Sequence, residues 1–411
     1  MPDSTFNYPT TRREFLKQSA SGLGLVAFSS VAPAFLTQSV RASVPDAEKD
    51  RTILVLIQLA GGNDGLNTLV PFEDDNYYRL RPKLGLRKDE LHPVTDQLGF
   101  HPACGEMAEL YREGKLAIVQ NVGYPNPNRS HFRSMEIWET ASGSDEYLTT
   151  GWMGRYFDNC CAGIPTPDPL GLNIGNELPD IFLSGREHNI FSLANTGRGK
   201  RTTGEGMKEA IAKGDFSMSE NANFLQHTLM NALVTESNVL KRLRGYQPMA
   251  AYPANALGRN LRDVAALIAS GQETRVYFVS LGGFDTHANQ LFRHRQLMEQ
   301  LSSAMAAFQA DLAAHKLDDQ VLTMTFSEFG RRPSENVSGG TDHGTAAPLF
   351  VMGSKLKGSL FGQAPDLQVA KNKDLPFSTD FRSVYSTIIE RWFETDPTRV
   401  LEKKHPLIDF I

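Results

Sequence analysis

The sequence predicts an α/β fold: a mainly parallel central sheet with helices on both faces. Three observations carry this. Thr52–Leu59 (TILVLIQL), Leu116–Val122, Val276–Leu281 and Val321–Phe326 are continuous apolar runs rich in β-branched residues, as expected of strands covered on both sides. Segments with helical apolar spacing lie between them, Cys104–Gly114, Asn221–Arg242, Ala256–Ala269 and Leu291–His315 among them. Each apolar run also stops at a polar or Gly-rich loop, and in a parallel sheet these stops share one edge.

The 411 residues suit one large α/β domain with insertions, or two domains. Apolar content of 40% and charged content of 22% are those of an ordinary globular protein. The N-terminus reads as an address. Thr11-Arg12-Arg13-Glu14-Phe15-Leu16-Lys17 resembles the twin-arginine export motif, and an apolar stretch rich in Gly, Ala and Ser runs from Ser19 to Val40. Val40-Arg41-Ala42 ends it as a small-residue cleavage site. Residues 1–42 are therefore set apart as a signal peptide. The expected route is the twin-arginine translocation machinery, the location periplasmic or otherwise exported, with no stable membrane span after signal removal. Losing residues 1–42 removes four basic and two acidic side chains and takes the formal net charge from −5 to −7. No basic stripe remains, so nucleic acid is not an expected partner. Cys104, Cys160 and Cys161 are odd in number, with two adjacent; they form no disulfide framework or zinc-ribbon spacing, and core packing is expected for all three.

The remaining elements follow in order. The first strand stops at Ala60-Gly61-Gly62-Asn63-Asp64-Gly65, which places Asp64 at its carboxyl end, with Thr68 four residues on. Residues 73–100 are polar and irregular. The second strand leads through Gly123-Tyr124-Pro125-Asn126-Pro127-Asn128-Arg129 to a helix from Ser130 to Trp138, with Ser130 where an N-cap belongs. Residues 139–215, rich in Gly, Pro, Asn and Thr, are expected as an irregular insertion over the sheet. The third strand ends in Gly282-Gly283-Phe284-Asp285-Thr286-His287; an extended Asp-x-His points both side chains to one face, so both can reach one ion. The fourth strand delivers Ser327 and Glu328, and a Gly-rich loop carrying Asp342 and His343 leads into a fifth, Pro348–Met352. Ser378–Phe393 reads as a closing amphipathic helix.

Carboxylates and imidazoles gathered on one rim suit a divalent metal such as Zn, Mn, Mg or Ca, one or two ions. Asp64, Asp285, His287, Glu328, Asp342 and His343 are the candidate ligands. Ser130 can be a helix cap, a nucleophile once its proton is removed, or a bystander; Thr68 is its rival as nucleophile. His131 can be a ligand, a general base or a partly buried helix residue. Arg331 or Arg332 can clamp an oxyanion, or both can be solvated.

LAGGNDGLNTLVP, SHFRSMEIWE, GGFDTH, SEFGRRPSEN and GTDHGTAAPLFVMG together resemble the twin-arginine-exported family called domain of unknown function 1501, over the whole chain. That family is grouped with alkaline-phosphatase-like and sulfatase-like hydrolases. The resemblance implies a three-layer sandwich of that type over residues 43–411 and one or two divalent ions at the carboxyl edge of the sheet. It also implies Ser, Thr or Cys attack on phosphorus or sulfur. Asp64 then matches the first-strand metal Asp, Ser130 the nucleophile, Asp285 and His287 an Asp-His metal pair, and His343 the final metal His. Glu328 stands where the superfamily has Asp followed by His, and Phe329 takes the place of that His. The implied activity is hydrolysis or transfer of a phosphate or sulfate ester of a small molecule or glycan; the alternative is a non-catalytic exported binding protein on the same fold.

Overall fold

The computed structural model describes residues 51–161, 168–193 and 220–411. The expected signal peptide, residues 1–42, lies outside the described residues. The chain divides into two compact units, residues 50–194 with 242–411, and residues 1–49 with 195–241. Of the second, the described part is the helix Glu220–Arg244, which begins there. No helix among the described residues is long and apolar enough to cross a membrane.

Four of the five expected strands are β1 (Ile53–Ala60), β2 (Leu116–Gly123), β5 (Val276–Gly282) and β6 (Val321–Phe326), each within a residue of its predicted limits, and the fifth forms as β9 (Ala347–Met352). Between β2 and β5 come β3 (Gly171–Ile174) and β4 (Ile190–Leu193). A separate antiparallel hairpin, β7 (Arg331–Glu335) with β8 (Thr341–His343), precedes β9 (Ala347–Met352); β10 (Leu360–Phe361) and β11 (Thr379–Asp380) are short. The main sheet has the order β10-β2-β9-β6-β1-β5-β3-β4, and β11 also pairs with β2. Its pairs are parallel except those of β9, which runs antiparallel to both β2 and β6. The start of β9, rather than its end, therefore faces the rim where the parallel strands finish.

β1 is central and apolar on both faces because both are covered. Leu54 and Leu56 join one core with Ile137 and Trp138 of α2 (His131–Thr140), Trp152 and Tyr156 of α3 (Trp152–Cys160), and Phe381 and Tyr385 of α6 (Phe381–Thr387). The opposite layer is α1 (Gly105–Arg112), α4 (Ala256–Ala269) and α5 (Gln290–Ala314), which bury Met107, Leu261 and Leu301. Helix, sheet and helix make three layers.

Three expectations change. Residues 139–215 are not irregular throughout: their described part supplies α3 and the strands β3 and β4, which extend the sheet instead of lying over it. β3 and β4 have four residues each, too few for periodicity to separate from loop. The closing helix is α-helical only to Thr387 and continues as a π-turn, Ile388–Trp392, whose Trp392 indole donates to the Ile53 carbonyl at 3.1 Å. Cys104 is buried and free, as core packing requires, but Cys160 and Cys161 form a disulfide between neighbours at the end of α3.

Candidate metal centre

The rim is built from the loops after β1, β2, β5 and β6 and from the β7–β8 hairpin. Backbone fit sets their spacing. Gly61 and Gly62 follow β1 with φ of +119° and +84°, in the region that favours glycine. A Cβ on Gly61 would stand 2.4 Å from the Asp285 nitrogen, and one on Gly62 would stand 2.5 Å from the Phe329 ring. The paired glycines thus let the Asp285 and Phe329 loops close against β1. Arg331, almost wholly buried, locks them there. It donates from Nε to the Gly62 carbonyl at 2.8 Å, from Nη1 to Thr341 at 3.0 Å, and from Nη2 to the Gly61 and Phe284 carbonyls and to Asp285 Oδ1 at 2.6 Å. The expected oxyanion clamp is thus an internal brace that holds Asp285. Arg332 instead lies 3.2 Å from Asp374.

Asp285 and His287 are exposed while Thr286 between them is buried, the alternation expected of Asp-x-His. Three imidazoles converge on Asp285. His287 Nε2 and His343 Nε2 lie 3.0 and 3.1 Å from its Oδ1 and 3.0 Å from each other; His131 Nε2 lies 3.6 Å from its Oδ2. Ligand atoms of His131, Asp285 and His343 all fall within 4.8 Å of one another. Around a tetrahedral Zn²⁺ with bonds of 2.0–2.1 Å, neighbouring donors stand about 3.3 Å apart.

Each ring turns its other nitrogen to an acceptor. His131 Nδ1 faces Glu328 Oε1 at 2.8 Å, His343 Nδ1 faces the Arg129 carbonyl at 2.9 Å, and His287 Nδ1 faces Asp342 Oδ1 at 3.4 Å. A carbonyl oxygen only accepts, so His343 carries its proton on Nδ1 and turns a lone pair inward. Neutral His131 and His287 do the same against their carboxylates. Nitrogen lone pairs and a carboxylate packed this closely repel one another, and a cation among them removes that repulsion. The donors therefore fit a divalent ion.

Electrostatics favour the ligating forms of Asp285 and His343. Partial burial raises the Asp285 pKa, but the hydrogen bond and positive charge of Arg331 lead the opposing effects and bring it to about 2. Burial lowers that of His343, against the pull of Asp285 and the Arg129 carbonyl, and so favours the neutral imidazole. Phe329 is buried with its ring centroid 5.0 Å from that of His131 and 4.7 Å from that of His343, so it backs the two imidazoles as a packing surface.

Other candidates sit elsewhere. Glu328 is buried and spends Oε1 on the Gly61 N–H at 2.8 Å as well as on His131; it supports a donor rather than facing the cluster. Asp342 stands in the same relation to His287. Asp64 is buried and claimed by Arg81, whose Nη1 and Nη2 reach its two oxygens at 2.6 and 2.8 Å, and by the Gln290 amide. Burial pushes the Asp64 carboxyl up, but the Arg81 guanidinium overcomes this and holds it below the ordinary carboxylate range. Thr68 is fully buried and donates to Asn63 Oδ1 at 3.0 Å or the Asp64 carbonyl at 2.9 Å, which removes it as a nucleophile facing solvent.

Ser130 caps α2 by backbone position, its carbonyl accepting from the Ser134 N–H at 2.9 Å, but its side chain makes no cap hydrogen bond. It is exposed and lies between Arg129 and His131, both of which contact the cluster.

Sequence reasoning missed Arg81, which decides the fate of Asp64. It lies in a stretch read as irregular, just past the short helix Asp75–Leu80, and only its burial distinguishes it from neighbouring arginines.

No curated protein matches the sequence. Among solved structures, the chain is similar to the zinc complex of the C-terminal periplasmic domain of EcEptC from Escherichia coli, with a TM-score of 0.38 and 10% identity over 76% of this chain and 75% of that one. It is similar to a protein in the alkaline phosphatase superfamily from Vibrio parahaemolyticus, with a TM-score of 0.37 and 10% identity over 87% and 71%. It is similar also to PsFucS1 sulfatase from Pseudoalteromonas sp., with a TM-score of 0.37 and 10% identity over 90% and 72%. At these scores no residue role passes from those proteins to this one. A family model described as "Protein of unknown function (DUF1501)" matches residues 51–404, and the chain belongs to that family.

Proposed function

We propose that this protein is an exported metal-dependent hydrolase or transferase of phosphate or sulfate esters, with His131, Asp285, His287 and His343 holding one ion. The observation that carries it is the convergence of three imidazole Nε2 atoms on one carboxylate, with an acceptor behind every ring. Three nitrogens and one oxygen suit Zn or a neighbouring transition metal better than Mg or Ca, which take all-oxygen sets. Arg81 already neutralises Asp64, which favours one ion over two.

A divalent cation in such a place supplies charge neutralisation and lowers the pKa of a hydroxyl brought to it. The chain supplies the rest. The first-turn N–H groups of α2, a helix of ten residues, provide the positive end of a helix for a tetrahedral oxyanion. Ser130 Oγ, at that helix end and free of a cap bond, is the nucleophile. Its oxygen would form the new bond to phosphorus or sulfur as the bond to the ester oxygen breaks, the serine proton passing to the departing alkoxide to give the alcohol; water would then cleave the seryl ester, releasing the acid and restoring the hydroxyl. Glu328 fixes the His131 ring, and Arg331 keeps Asp285 ionised and in place.

The test is release of p-nitrophenol from p-nitrophenyl phosphate and p-nitrophenyl sulfate by metal-loaded and chelated protein. Turnover with one of them that needs the metal and disappears in Ser130→Ala is expected. If the protein binds Zn²⁺ stoichiometrically yet cleaves neither ester, the non-catalytic binding reading replaces this one; the pairing of Asp64 and the Phe at position 329 favour that second reading.

A further inference from the structure

The face of the sheet that α2 covers changes character toward the rim. Leu54 and Leu56 of β1 and Val276 and Phe278 of β5 are buried there in the apolar core. Two residues on, the same face carries Gln58 and Ser280, which are paired in register, and beside Phe278 the neighbouring strand β3 places Asn173. Gln58 and Asn173 are more than nine-tenths buried, where an amide is expected to have its polar atoms met. Gln58 Nε2 reaches the Met135 sulfur at 2.7 Å, and Asn173 Nδ2 donates to the Glu177 carbonyl at 2.6 Å and to Ser192 Oγ at 2.9 Å, so the oxygens are the atoms left over. Gln58 Oε1 and Asn173 Oδ1 accept from no group among the described residues, and neither oxygen is sealed: each keeps surface open to a guest. Ser280 is exposed, and its hydroxyl makes no hydrogen bond among the described residues.

All three residues line a cleft of about 430 Å³, within the size range of small-molecule sites. One wall is α2, whose Phe132, Met135 and Glu139 recur at helical spacing; another is the loop 174–180 that follows β3. The cleft adjoins the metal centre. Phe132 directly follows His131, and β5 runs on from Ser280 toward Asp285. Phe132 is 90% exposed, a large apolar ring on this wall without cover. No lysine or arginine lines the cleft, and two of its carboxylates are already engaged: Glu136 with Arg133 at 2.7 Å and Glu139 with the Ile181 N–H at 3.3 Å.

We propose that the cleft holds a neutral sugar ring, the alcohol part of the phosphate or sulfate ester; the assignment rests on the ester chemistry proposed above. The two amide oxygens need donors, and hydroxyl groups supply them without charge. Glu177 and Asp180 on the loop repel an anionic guest such as a uronate or a second sulfate, and no cationic side chain of the lining offsets them. A pyranose also has a face of C–H groups, which an exposed aromatic ring covers while the hydroxyl groups at its edge reach the polar floor. A linear polyol has no such face. The ester bond of a sugar held there lies toward Ser130 and His131, which open the helix that forms the wall.

The experiment is a saturation-transfer NMR titration of the protein, with and without Zn²⁺, using the methyl glycosides of glucose, galactose and fucose beside glucuronate, glycerol and ethanolamine. Saturable binding of at least one glycoside is expected, with weaker binding or none for the other three compounds. Phe132→Ala should weaken it about threefold to tenfold, and Gln58→Leu about fivefold or more. Phe132 is exposed, so its variant still decides the matter if Gln58→Leu does not fold. No saturable glycoside binding, unchanged affinity in either folded variant, or tighter binding of glucuronate, glycerol or ethanolamine would overturn the inference. Binding is read without turnover. Cleavage of p-nitrophenyl esters by a protein that binds no glycoside therefore defeats this inference alone, and glycoside binding without cleavage defeats the catalytic reading while leaving the cleft a sugar site.

Discussion

Two aspartates on the same rim meet opposite fates. Asp64 and Asp285 both follow a Gly-Gly pair at the carboxyl end of a buried parallel strand, β1 and β5, which are neighbours in register. Each has an arginine against it, Arg81 for Asp64 and Arg331 for Asp285. Arg81 covers both Asp64 oxygens, and Gln290 adds a third donor. Arg331 touches only Oδ1 of Asp285, while Oδ2 faces His131 and the side chain stays about half exposed. The difference is whether a carboxylate keeps a lone pair pointed at solvent and other donors. A fully wrapped carboxylate is part of the fold, whereas a half-wrapped one can take a cation.

The largest effect should come from removing the wrapping. Arg81→Leu leaves Asp64 buried without its partner and should cost about 3–5 kcal/mol of stability by chemical denaturation. If Asp64 is itself a ligand, added Zn²⁺ should restore much of that loss; no restoration is expected. Next, Asp285→Ala should abolish stoichiometric Zn²⁺ uptake measured by elemental analysis, with a smaller change in stability because the side chain is half exposed. Glu328→Gln keeps the shape behind His131 but removes the charge, and should weaken Zn²⁺ affinity about 10–100-fold. Equal metal content and affinity in all three proteins would erase the distinction between the two ends of the rim.

The smallest effect is on pH dependence, and it belongs to the wrapped end. His294, which contacts Asn63 and Thr68, has its pKa lowered to about 4, and neighbouring His101 to about 3, in both cases chiefly by burial. The folded state holds both rings neutral, while the unfolded chain takes up protons near pH 6.5. Stability from these groups is therefore complete above that pH and falls as the solution is acidified toward their folded values. By pH 5.5 each should have cost roughly 1 kcal/mol. His294→Gln should flatten that part of the stability profile measured by urea unfolding, without altering Zn²⁺ affinity at neutral pH.

The sequence made the sheet legible because β1, β2, β5 and β6 are buried on both faces and so cannot hide their apolar runs. The Asp-x-His step after β5 and His343 before β9 were legible for a related reason: a strand end fixes where its next residues emerge. β3, β4 and the β7–β8 hairpin were not legible, being short and stabilised by partners distant in sequence.

By itself, then, the sequence determined which residues reach the rim, since hydrophobic periodicity and glycine placement act locally along the chain. Only the tertiary structure decided what each one does there. Arg81 neutralises Asp64 from 17 residues away, Glu328 stands behind His131 across 197 residues, and Arg331 joins three loops at once. A carboxylate's chemistry depends on which donors reach its oxygens, and that is a fact of three-dimensional proximity that no spacing along the chain encodes.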